Sequence, residues 1–153
     1  MIELHVTSGI QGSGKTVLAQ ALAIEKRANL YIYDLIAAEC ALPPLYKSIY
    51  KLIKIKLLNG ENAIYDNMNL TIANRLELLE YFKNIGCKKI LHVMSTPTEI
   101  CLDRHHKRAG GRPCLPDRFI YLCAKKYEPP TLEEGWDEII YHEYQKEALS
   151  YGD

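Results

Sequence analysis

The residues best suited to chemistry form one unbroken run, Gly9-Ile10-Gln11-Gly12-Ser13-Gly14-Lys15-Thr16. It matches the phosphate-binding pattern G-x-x-x-x-G-K-[ST] at every position. Gly9, Gly12 and Gly14 let the backbone curl until several N–H groups converge, where side chains would obstruct a phosphate. Gln11 and Ser13 lie between them and share in the cradle. The Lys15 ammonium can reach the outer phosphates of a nucleoside triphosphate, and the Thr16 hydroxyl suits a magnesium ion.

Two carboxylates follow. Asp34 closes the apolar stretch at 29–33, and Asp66 closes Ala63-Ile64-Tyr65 just before Asn67-Met68-Asn69. In open α/β sheets, ligands bind at the carboxyl ends of the strands, so an acid placed there is in position for chemistry. Asp34 is equally suited to capping a turn or a helix. Asp66 resembles the second magnesium-site element of phosphate-loop proteins. A basic cluster comes last. Arg104 and Arg108 are one helical turn apart, with Lys107 and Arg112 beside the Gly110-Gly111 pair. This reads as a hinged flap over about 104–114 that closes on a triphosphate and stabilises the transferring charge.

The elements needed to position these groups are legible in the pattern. Residues 2–6 alternate like a strand ahead of the loop, and Val17, Leu18, Ala21, Leu22 and Ile24 give an apolar helical face after it. The N-terminus of that helix is the positive end of its dipole, where a phosphate can sit. Further strands are expected at 29–33, 63–66, 88–94 and 139–142. Pro43-Pro44 opens a helix to about residue 58, with Leu45, Ile49, Leu52 and Ile53 inward. Its Lys47, Lys51 and Lys54 share an outer face, either plain solvated surface or a stripe that tracks a nucleic-acid strand. A helix over 71–85 buries Ile72, Leu76, Leu79 and Phe82. Thr96-Pro97-Thr98-Glu99 reads as a capping box that starts the next one. The last helix, 115–127, offers Phe119, Ile120, Cys123 and Ala124 to the core. Strands alternating with helices imply a parallel five-stranded sheet with helices on both faces.

The chain has 153 residues, 48% apolar and 25% charged, which predicts one domain over 1–153 with a polar tail at about 144–153. Nineteen basic and 19 acidic residues cancel, so attraction to a polyanion must come from local clustering. No apolar run approaches the roughly 18 residues of a membrane span. No signal-peptide pattern precedes the first strand. Five cysteines, odd in number and never spaced C-x-x-C, predict a reducing, cytoplasmic setting without a disulfide framework. Cys101, His105 and His106 lack a second ligand pair at a zinc spacing.

These motifs together resemble the kinase domains of the phage-type polynucleotide 5′-hydroxyl kinase family, over residues 2–142. The resemblance rests on the loop from Gly9 to Thr16, Asp34 at the end of the second strand, Asp66-Asn67-Met68-Asn69-Leu70 with Arg75 beyond it, and the Arg104/Arg108 spacing. It implies a P-loop NTPase fold with an arginine-rich lid, and ATP and Mg2+ as cofactors. Asp34 would then be the general base, and Asp34, Asp66, Asn67 and Arg75 would border the acceptor. The run Tyr127-Glu128-Pro129-Pro130-Thr131, with Glu134-Gly135-Trp136, is similar to a family segment and reads as packing. The implied activity is transfer of the ATP γ-phosphate to the 5′-hydroxyl of a DNA or RNA strand. One departure bears on the acceptor. Where the phage kinase has an arginine shortly after its base, Leu35, Ile36, Ala37 and Ala38 stand here. Small-molecule kinases share the other motifs, so a nucleoside, a sugar or a similar alcohol is the alternative acceptor. A nucleotide switch without transfer activity is the third reading, against which stands the absence of an N-K-x-D motif.

Overall fold

Five strands join in one parallel sheet in the order β2-β3-β1-β4-β5. They are β1 (Glu3–Ser8), β2 (Asn29–Ile32), β3 (Ala63–Asp66), β4 (Lys88–Ser95) and β5 (Glu138–Glu143). The computed structural model describes residues 1–40, 42, 44–109 and 116–146. Between the strands run α1 (Lys15–Glu25), α2 (Tyr33–Ala38), α3 (Tyr46–Leu58), α4 (Ile72–Phe82), α5 (Thr98–Ala109) and α6 (Asp117–Lys126). A 3₁₀ turn, Leu132–Glu134, precedes β5. Parallel neighbours need crossovers, and the helices supply them on both faces.

Strand alternation divides the core. Leu4 and Val6 of β1 face Ile49, Tyr50, Ile53 and Leu57 of α3 and Leu78, Leu79 and Phe82 of α4. On the opposite face, Ile64 packs against Ala19 and Leu22 of α1. A third cluster, with Ile10, Leu70, Cys101, Leu102, Ile120 and Cys123, joins α5 and α6 to the loops at the sheet's carboxyl edge. Among the described residues, no helix is long and apolar enough to cross a membrane.

Three expected helix faces are rotated from their sequence reading. On α1, Val17 and Ile24 are exposed while Lys15, Ala19 and Leu22 are buried, because the cradle draws Lys15 inward. On α3, Leu45 and Leu52 are exposed, and Tyr50 takes the inner face, its ring edge-on to Tyr65 and Phe82. On α4, Ile72 and Leu76 are largely exposed because Arg75 points inward. Strand β2 stops at Ile32, one residue earlier than expected. Tyr33 begins α2, which places Asp34 in a helical first turn. Pro43, Leu115 and residues 147–153 lie outside the described residues.

A histidine ladder crosses the α1 face of the sheet. His5 Nδ1 is 2.8 Å from His92 Nε2, His92 Nδ1 is 2.9 Å from His142 Nε2, and His5 Nε2 is 2.9 Å from Glu3 Oε1. An ionised carboxylate only accepts, so His5 Nε2 donates to Glu3, and the two remaining bonds then run in the same direction. Burial, with the adjoining His5 and His142 rings, pushes His92 down to about 3, and burial also lowers His142. The unfolded chain therefore takes up a proton at His92 below the ordinary histidine value of about 6.5, while the folded chain holds that side chain neutral until pH nears 3. Stability is full above that value and falls by about 1.4 kcal/mol per pH unit for His92 as pH drops toward 3. Urea midpoints measured from pH 7.5 to 4.5 should decline less steeply for His92→Gln than for wild type. Identical slopes would show that the ladder carries no proton linkage.

Candidate active site

The run from Gly9 to Thr16 leaves the carboxyl end of β1 and enters α1. Gly14 is the N-cap of α1 at φ 95°, and Gly12 has φ 81°, conformations that L side chains rarely adopt. A Cβ at Gly12 would stand 2.6 Å from the Cys101 carbonyl oxygen of α5, so the backbones meet too closely for any side chain. The loop is held from outside at three points. Gly9 N donates to Met68 O (2.9 Å), Thr96 Oγ1 donates to Ser13 O (2.8 Å), and Arg104 Nη1 donates to Gly12 O (3.0 Å). Across a trans peptide the N–H opposes the carbonyl, so fixing Ser13 O outward turns the Gly14 N–H the other way. Buried Ser13 Oγ finds no hydrogen-bond partner among the described residues, and neither does Gln11 Oε1.

The carboxylates stand on neighbouring strand ends. Ile32 pairs with Asp66 in register, which places Asp34 two residues past that level. Asp66 is 2% exposed, and its two oxygens divide their work. Oδ1 accepts from Thr7 Oγ1 (2.8 Å) and Oδ2 accepts from Thr16 Oγ1 (2.6 Å). Lys15 is also buried. Desolvation lowers its pKa and the Arg108 charge acts in the same sense, while Asp66, Asp34 and Cys101 oppose them. Three separate parts of the chain therefore act electrostatically on one ammonium group.

The family model for an AAA domain, AAA_33, matches residues 4–130, from β1 to the start of the Glu128–Trp136 region. The chain belongs to the AAA_33 family. No curated protein matches it in sequence. Solved structures share the fold. A sugar kinase from Janibacter sp. HTCC2649 is 18% identical with a TM-score of 0.71, covering 94% of this chain and 86% of that one. The values for a fungal RNA kinase are 14%, 0.71, 97% and 77%. A gluconokinase from Sinorhizobium meliloti 1021 gives 17%, 0.65, 97% and 86%. The fold of this AAA_33 chain is thus a P-loop, kinase-like one.

Not every residue expected at the site of this AAA_33 domain is there. Arg75 is fully buried and cannot border an acceptor. Nε and Nη2 donate to the Glu134 carboxylate (2.9 and 3.1 Å), Nη1 to the Asn69 and Leu70 carbonyls, and Nη2 to that of Glu128. All five guanidinium donors are committed. The Glu128–Trp136 run supplies three of those acceptors, and Trp136 Nε1 also donates to Glu134. Asn67 lies beside Asp66, with its amide donating to Tyr65 OH and accepting from Met68 N. Arg108 is exposed on α5, whereas Arg104 is half-buried with its guanidinium over the Tyr144 ring. Residues 110–115, including Arg112 and most of the expected hinge, lie outside the described residues.

Thr7 and Thr96 were not legible as site residues. Thr96 has the spacing of a capping residue, yet α5 starts at Thr98 and its hydroxyl goes to the loop. Thr7 precedes the motif and carries no spacing signal. The donor set fits the groups this family's loop implies. An unpartnered hydroxyl, a buried ammonium and an N–H-lined turn suit a triphosphate. One hydroxyl and one carboxylate, both hard oxygen ligands, suit a magnesium ion that also binds phosphate oxygens. A larger cavity of about 570 Å³ lies against α4, Lys89 and Gly135, at the opposite edge of the sheet from the loop.

Proposed function

We propose that this protein is an ATP-dependent kinase that transfers the γ-phosphate to a hydroxyl, with the 5′-hydroxyl of a polynucleotide as the acceptor. The observation that carries this reading is the Thr16–Asp66 contact beside buried Lys15, an ammonium on which Asp66, Asp34 and Arg108, from three separate parts of the chain, all act electrostatically.

Lys15 and the loop N–H groups hold the β- and γ-phosphates, and the Ser13 hydroxyl adds a donor. Thr16 and Asp66 would hold Mg2+, whose charge offsets that of the phosphates when bound. Asp34 accepts the proton of the incoming hydroxyl. Arg108 faces the transferring phosphoryl group and stabilises its charge, within a lid that includes Arg112. Arg104 keeps the loop in shape through Gly12. Asn67, fixed by Tyr65, borders the acceptor. Positioning and electrostatics supply most of the rate enhancement in such a reaction.

A small-molecule alcohol is the second acceptor reading. It is favoured by the Leu35-Ile36-Ala37-Ala38 run after Asp34 and by likeness to a sugar kinase and a gluconokinase. Labelled ATP with a 5′-hydroxyl oligonucleotide, run beside a panel of nucleosides, gluconate and sugars, separates the two. Label on the oligonucleotide alone is the expected result. Label confined to a free sugar or nucleoside would overturn the polynucleotide reading, and no label on any hydroxyl would remove the kinase reading.

A further inference from the structure

Beside the phosphate loop lies a second cavity of about 190 Å³ whose walls come from three helices and the stretch after β3. Tyr46 stands at the start of α3, Asn67 and Met68 follow β3, Asn74 lies on α4, and Phe119 and Lys126 lie on α6. Its placement relative to the chemistry is set by two contacts. The Met68 carbonyl on its wall accepts the Gly9 N–H, so the cavity and the cradle share one turn of chain. On the other side, the Tyr46 ring meets that of Tyr33 (centroids 5.2 Å apart), the residue preceding Asp34. The wall thus adjoins the neighbours of both site carboxylates: Asn67 follows Asp66, and Tyr46 meets Tyr33, which precedes Asp34.

The lining specifies the ligand. Phe119 and Tyr46 supply aromatic lining, and Met68 and Cys123 supply apolar lining. The exposed Asn74 amide forms no hydrogen bond among the described residues, leaving a donor and an acceptor for a polar edge. Exposed Lys126 has no ion pair among the described residues, a cation at the rim. Aromatic faces, one amide and one cation match a base that stacks, pairs its edge and trails a phosphate. The volume lies below the range of about 300–1,000 Å³ for drug-sized ligands, so it suits a single ring system.

We propose that this cavity seats the nucleobase of the acceptor's terminal unit, with Phe119 as its stacking face, Asn74 at its edge and Lys126 on the following phosphate. The proposal rests on the kinase reading above and makes the base a determinant of which hydroxyl is phosphorylated.

The test compares two short 5′-hydroxyl oligonucleotides that differ only in that one has an abasic first nucleotide. Both are used with the full chain, with Phe119→Leu and with Asn74→Ala. Wild type should show a KM for the abasic oligonucleotide raised on the order of tenfold or more, the scale of losing one stacked base. Both variants should raise the KM for the intact oligonucleotide and narrow that difference, with the KM for ATP unchanged. Equal KM values for both oligonucleotides in wild type, or variants that behave as wild type, would overturn it. Direct binding of the same oligonucleotides without ATP separates the two readings. Base-dependent binding with no transfer sinks the kinase reading and leaves the cavity. Transfer without base dependence, or no base-dependent binding at all, sinks the cavity.

Discussion

Exchanging Asp34 for asparagine is expected to lower turnover by about 10²–10⁴-fold, the usual worth of a positioned proton acceptor, with ATP binding near wild type. The substitution keeps the size and shape of the side chain and removes only its capacity to take a proton. Little else should change. Asp34 is exposed in the first turn of α2 and makes no hydrogen bond or ion pair among the described residues. Nothing in the core depends on its charge, and the cradle is built from other residues. Pre-steady-state transfer rates, with ATP affinity measured separately, check this directly. A variant that transfers phosphate at the wild-type rate would remove Asp34 from the reaction, while a fall in ATP affinity alone would reassign it to holding the nucleotide.

The largest stability effect is expected at Arg75. Arg75→Ala should cost about 3–5 kcal/mol, the scale of breaking a buried ion pair from one side. Three carbonyls lose their donor, and the Glu134 carboxylate, only 4% exposed as a side chain, is left without its counter-charge. Burial by itself would raise the Glu134 pKa. The hydrogen bonds from Arg75 and Trp136 outweigh it and hold the group below the ordinary carboxylate value. Because the folded value is depressed, this contribution is present above the ordinary value of 4.5 and fades as pH falls through the folded one. Urea unfolding of Arg75→Ala, Glu134→Ala and the double variant measures the effect. The double variant should lose less than the sum of the singles. A loss below about 1 kcal/mol for Arg75→Ala would place the pair among weak surface bridges instead.

The same arginine shows where sequence reading succeeds and where it stops. The loop, the strands and the alternation of elements depend on local pattern and on glycines at obligatory positions, and all of these were legible. The loop motif singles out Thr16 and the strand-end position singles out Asp66, but their 2.6 Å contact across fifty residues of chain is set by the fold and no spacing reports it. Arg75 is placed beside the acceptor by resemblance alone, whereas in the fold it is fully buried. Only the distant Glu134 makes its burial tolerable, and no local spacing reports that partner. Lys15 misleads the reading of α1 in the same way, since the cradle keeps it inside and turns Val17 and Ile24 to solvent. Thr96 was read as a cap because its local spacing is that of one, whereas its actual partner, Ser13, is 83 residues away in the chain.

The two tethers between the phosphate loop and the region around α5 tie catalytic geometry to mechanics. Thr96 and Arg104 grip successive carbonyls, those of Ser13 and Gly12, while Arg108 sits one turn farther along the same helix. A rigid helix cannot swing Arg108 away without pulling on Gly12. Movement of Arg108 and the shape of the phosphate loop are thereby mechanically coupled through one helix.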